Sequence, residues 1–113
     1  VLILTLEQFI NSLSASDIEA IAFALSVLPS LGMEDSTVQA AVNRQCCIAA
    51  SSKITRGDAN LSANEFRVLY SAVQAVQLIN SGGLSVVSSN IKKQCNRYLF
   101  TINKLSAALS GLA

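Results

Sequence analysis

The chain has 113 residues, enough for one domain around one modest core. Charged residues make up 13% against a usual quarter, and hydrophobic residues 51%, so a Ser- and Ala-rich surface of low charge is poorly defended against association. His is absent and the three cysteines, Cys46, Cys47 and Cys95, lack Cys-x-x-Cys spacing, which argues against a zinc site and against Ser-His-Asp or Cys-His catalysis.

Taken in order, the chain reads as helices and caps. Val1 to Leu6 is apolar but short and has no basic flank, so no signal peptide is expected. Thr5 with Gln8 has capping-box spacing and opens a short first helix through Leu6, Phe9, Ile10 and Leu13, ending near Ser14. Ser16 with Glu19 is a second box, followed by Ile18, Ile21, Ala22, Leu25 and Leu28. Only Ser26 is polar between Ala20 and Leu28, so this helix should be buried on most sides, with Pro29 and Gly32 stopping it. Ser36 with Gln39 opens a third helix, with Glu34 and Asp35 favourable at its positive end. Its core face is expected on Val38, Val42, Cys46 and Ala49, and it should fray near Ile54. Ser62 with Glu65 opens the fourth. Phe66, Leu69, Tyr70, Val73 and Val76 form one stripe and Val68, Ala72, Ala75 and Ile79 a second, which predicts another internal helix, ended by Gly82 and Gly83.

The longest stripe is the last: Leu84, Val87, Ile91, Cys95, Tyr98, Ile102, Leu105 and Leu109, in steps of three and four with no Pro or Gly between. It predicts one helix of about 39 Å, which cannot bury its stripe alone. No segment shows sustained period-two alternation. The expected fold is all-α: a single domain over residues 1–113, a bundle of about five helices packed along a long C-terminal helix. The longest charge-free run, Val68 to Ile91, contains Gln74, Gln77, Asn80, Gly82 and Gly83, so no membrane span is expected.

Charge is unevenly distributed. Residues 1–35 hold Glu7, Asp17, Glu19, Glu34 and Asp35, a net −5, and the remainder holds all eight basic residues with Asp58 and Glu65, a net +6. Such polarity can steer head-to-tail contacts between copies or mark two faces of one bundle. The cysteines read either as reduced, core-lining thiols or as one disulfide. Adjacent helical residues point about 100° apart, so Cys46 and Cys47 cannot both meet Cys95. With Cys46 on the expected core face, Cys46 and Cys95 are the pair for any intramolecular disulfide.

The stretch Gly57 to Phe66 resembles the second half of an EF-hand calcium loop, with Glu65 as the bidentate twelfth ligand. The first and third positions would be Ile54 and Arg56, which supply no carboxylate, so neither calcium nor any other metal is expected. Gly82-Gly83 lacks the further residues of a phosphate loop, and Asp17 and Glu19 read as charges placed on a helix dipole rather than as catalysts. No catalytic residue and no cofactor are expected. Lys92, Lys93, Arg97 and Lys104 form the one candidate interaction face. Four charges without interleaved aromatics do not make nucleic acid an expected partner.

These readings converge on a non-enzymatic structural, self-assembly or protein-interaction module, a homo-oligomer or part of a larger assembly. Modules of this kind include virion components and the helical terminal domains of silk proteins. With the latter the chain shares only Ser/Ala-rich helices and the Gly82 to Ser85 turn. The alternative is a small helical carrier of an apolar ligand, which the few aromatics, four Phe and two Tyr, favour by leaving fewer large groups to fill space.

Overall fold

The computed structural model describes residues 5–31, 37–83 and 88–112. Among them are six α-helices and no strand: α1 (Leu6–Asn11), α2 (Ala15–Val27), α3 (Thr37–Thr55), α4 (Ala63–Asn80), α5 (Ser89–Arg97) and α6 (Leu99–Ser110), with a 3-10 turn at Leu28–Leu31 that holds Pro29. The all-α bundle expected from the sequence is the fold.

Short polar side chains set the helix starts. At α1 the Thr5 hydroxyl accepts from the Gln8 N–H at 3.2 Å and the Gln8 side chain accepts from the Thr5 N–H at 3.0 Å, and Ser62 with Glu65 does the same for α4. For α2 the expected start is two residues late. Ser14 and Asp17 form the box, not Ser16 and Glu19. Both pairs have the spacing, but Asp17 is buried and Glu19 is engaged elsewhere, so tertiary contacts choose between them. The expected cap at Ser36 lies outside the described residues. Two helix ends share their chemistry as well as their sequence. After Ile10-Asn11 and Ile79-Asn80, Ser12 and Ser81 cap α1 and α4, each donating its hydroxyl back to the carbonyl three residues earlier. Gly82 follows at φ +81°, a left-handed turn that favours glycine.

α4 is the centre of the bundle, packed against α2, α3, α5 and α6. Both of its stripes are used: Val68, Leu69, Ala72, Val73, Val76 and Ile79 are buried. Each Val, Leu and Ile among them contributes about 1.5–3 kcal/mol by leaving water. α2 is likewise internal through Ala20, Ile21, Ala24 and Leu25.

Two expectations fail. The first is the core face of α3. Cys47, Ala50 and Ile54 point into the core with Asn43 beside them, whereas Val38 is 76% and Val42 42% exposed. The helix is turned by about one residue from the expected face. α3 carries apolar residues on two sides, and periodicity does not decide between them. Packing does: small Cys47 and Ala50 allow close approach to α2 and α4, and the buried Asn43 side chain accepts from Arg67 of α4 at 3.0 Å.

The second is the long C-terminal helix. The stripe is real, with Cys95, Ile102, Leu105 and Leu109 buried, but the helix is interrupted at Tyr98, which ends α5 and begins α6 at φ −97°, ψ 9°. The interruption falls where α2 holds the chain. The Tyr98 ring lies 5.1 Å from that of Phe23, and its hydroxyl donates to Glu19 Oε1 at 2.8 Å. The longest extent of the molecule, 37 Å, is shorter than the uninterrupted helix of about 39 Å would be. Leu84 and Val87, the first two residues of the stripe, lie outside the described residues.

Candidate interaction surfaces

The four basic residues singled out by the sequence do not form one set. Lys104 is turned back onto α2, its Nζ 3.0 Å from Asp17 Oδ1 and 3.3 Å from Oδ2. Burial is the largest influence on Asp17 and opposes its charge. The Ser14 backbone N–H and Lys104 together outweigh it, so the carboxyl titrates below its ordinary value. Arg97 lies over the Tyr98 ring, 5.7 Å from its centroid. Glu19 accepts the Tyr98 hydroxyl and pushes that phenol up. Lys92 and Lys93 are exposed on α5. The acidic first third and the basic last third of the chain thus meet within one molecule, at Asp17–Lys104. Glu34 and Asp35 lie outside the described residues.

The carboxylates of the calcium-like stretch are likewise committed. Lys53 Nζ donates to Glu65 Oε1 at 2.9 Å and to the Asn60 carbonyl at 3.0 Å. The Lys53 hydrogen bond and the Ser62 N–H hold Glu65 below its ordinary pKa against the cost of burial. Asp58 takes the Asn60 N–H at 2.9 Å and pairs with Arg56 at 3.5 Å. This cluster locks the α3–α4 loop. Glu65 Oε2 is buried without a hydrogen-bond partner. Among the described residues no three of Cys, Asp and Glu gather as a metal-binding group.

All three cysteines carry thiols rather than disulfides. Cys47 and Cys95 are buried and Cys46 half-buried, and burial pushes the Cys95 thiol up. With α3 turned as it is, Cys47 takes the inward place expected for Cys46.

The turn of α3 also creates a surface. Its outward side carries Val38 (76% exposed), Val42 and Ile48 (70% exposed), with half-buried Ala41 and Ala49 between them. Beside Ile48 an open groove of about 500 Å³ runs between α2 and α3. Ala22, Leu25, Pro29 and Cys47 give it an apolar lining, Ser26, Ser51 and Ser52 supply hydroxyls, and Arg44 stands at the same groove. The stripe of Val38, Val42 and Ala49 was visible in the sequence. Its direction was not.

A second outward feature went unnoticed in the sequence. Phe100, on the first turn of α6, is 83% exposed, and Leu99 beside it is also exposed. The signal was present. Phe100 lies off the C-terminal apolar stripe, between Arg97 and Lys104, where an aromatic ring has no place in the core.

No helix among the described residues is long and apolar enough to cross a membrane. Comparison with known proteins finds no matching family model, no matching curated protein and no matching solved structure.

Proposed function

We propose that this chain is a non-enzymatic self-assembly module that pairs with a second copy through the outward side of α3. The observation that carries the reading is the exposure of Val38, Val42 and Ile48 on the outward side of α3, with Ile48 at the rim of an apolar groove. A two-fold interface needs one surface that carries both a protrusion and its complement. Ile48 stands proud at the edge of the groove and supplies the first, and the groove supplies the second. Arg44 is the one charge among Val38, Ala41, Val42, Arg44, Gln45, Ile48 and Ala49, so pairing desolvates few charged groups. A 19-residue helix with one flanking groove presents an area at the low end of stable interfaces, so pairing should depend on concentration. Chemical cross-linking through a cysteine placed at Gln45, in a chain whose half-buried Cys46 is replaced by serine, tests the geometry. Copies that pair through α3 should join at this position, and a joint formed equally well in denaturant would count against it.

The groove itself supports a second reading, a carrier of a small apolar ligand, because about 500 Å³ lies within the range of small-molecule sites. Native mass spectrometry separates the two. Pairing gives a mass of two chains, and carriage gives one chain with added ligand mass.

A further inference from the structure

The face of α5 and α6 opposite the core has a composition that pairing through α3 does not use. Helical hydrogen bonding continues on both sides of the interruption, from the Tyr98 N–H to the Gln94 carbonyl at 3.2 Å and from the Ile102 N–H to the Tyr98 carbonyl at 2.8 Å. Neither bond spans the break, but Cys95 on α5 and Ile102, Leu105 and Leu109 on α6 are all buried, so the two helices turn one stripe to the core. At about 100° per residue, Lys92, Lys93, Asn96, Arg97, Phe100 and Asn103 fall within one arc of roughly 140°, with Phe100 near its middle. Ile91, Cys95, Tyr98, Ile102 and Leu109 occupy the opposite side, and of these Cys95, Ile102 and Leu109 are fully buried. Phe100 thus points directly away from the core, 83% exposed, with Lys92, Lys93 and Arg97 around it and no acidic residue anywhere on α5 or α6. The remaining cation of these helices, Lys104, is held by Asp17.

The geometry points to a peripheral docking site for an anionic lipid surface, in which Phe100 enters the headgroup boundary and Lys92, Lys93 and Arg97 meet lipid phosphates and carboxylates. Charge complementarity names the sign of the partner, and the protruding ring names its form. A short extended acidic peptide offers no pocket of its own for the protruding Phe100 ring, and among the described residues this face has no groove to hold the peptide, since the groove lies between α2 and α3. A nucleic acid would stack successive bases on several aromatic faces, and with the Tyr98 ring covered by Phe23 and Arg97 only Phe100 is open among the described aromatic residues of this face. An apolar side chain ringed by Lys and Arg is what an interfacial membrane contact requires.

The chain contains no Trp, so Phe100→Trp gives a single fluorophore at the site. The unmodified chain should float with vesicles of phosphatidylcholine containing about a third phosphatidylserine and not with phosphatidylcholine alone. The emission of Phe100→Trp should shift to the blue with the anionic vesicles only. Removing both lysines, as Lys92→Gln with Lys93→Gln, should weaken binding about thirtyfold, and Phe100→Ser should abolish flotation while the helical circular dichroism stays unchanged. Failure of the unmodified chain to float, or equal flotation by Phe100→Ser, would overturn the proposal. Binding to polyglutamate or RNA as tight as to vesicles, with no blue shift on the vesicles, would overturn it in favour of a soluble polyanion.

Discussion

Asp17 and Glu65 each cap a helix and hold a lysine from another part of the chain. Both carboxyls titrate below their ordinary values of 3.8 and 4.5 in the folded chain. A carboxyl with a lowered folded pKa adds stability above its unfolded pKa, and that stability is lost as pH falls through the folded value. Stability should therefore decline from about pH 4.5 downward. Urea midpoints measured against pH check this: Asp17→Asn should be less stable than wild type at pH 7, and the difference should shrink as pH falls below 3.8. Lys104→Met leaves the Asp17 carboxylate buried without its cation. Because Lys104 is itself half in solvent, the loss should be about 1–2 kcal/mol rather than the full cost of breaking a buried pair. A change under about 0.3 kcal/mol would mean that the Ser14 N–H alone suffices to hold the charge.

At the scale of elements, α3 and α4 make opposite cases. α4 has two adjoining apolar stripes and one polar strip, so the sequence leaves a single way to place it, and Val73 is as buried as the pattern implies. Val73→Asp should unfold the domain, since an unpaired buried charge costs several kcal/mol. Ile48→Asp on α3 should leave the fold intact, and thermal unfolding of the two variants compares them directly. α3 has apolar residues on two sides, and nothing local says which side meets α2 and α4. That choice rests on how closely the backbones approach at Cys47 and Ala50, which no periodicity encodes. The same limit applies at Tyr98. The stripe through α5 and α6 was legible, but the interruption falls where Tyr98 meets Phe23 and Glu19, more than seventy residues away, and where the Asn80 side chain donates to the Cys95 carbonyl. Capping boxes at Thr5 and Ser62 were legible because they close within four residues, and the one at Ser14 was misplaced because a second pair with equal spacing lies two residues on. The rotation of α3 has a chemical readout. In the native protein Cys46 should react with a thiol reagent first, and Cys47 and Cys95 only on unfolding. Faster labelling of Cys47 than Cys46 would return α3 to the orientation expected from its stripe.

For the molecule as a whole, the uneven charge of the sequence is partly neutralised within the fold, through Asp17–Lys104. What remains outside is a nearly uncharged apolar side on α3 and a cationic, aromatic side on α5 and α6. The first is the surface proposed for a second copy and the second the one proposed for an anionic lipid surface, and they lie on different helices, so either can be removed without the other. The most direct test of the central claim is sedimentation equilibrium of the wild-type chain and of Val38→Ser with Ile48→Ser over a wide concentration range. Wild type should shift from one chain to two as concentration rises. The double variant should remain one chain throughout, with unchanged circular dichroism and Tm. A wild-type chain that stays monomeric up to about millimolar concentration, or a double variant that pairs as tightly as wild type, would contradict assembly through α3.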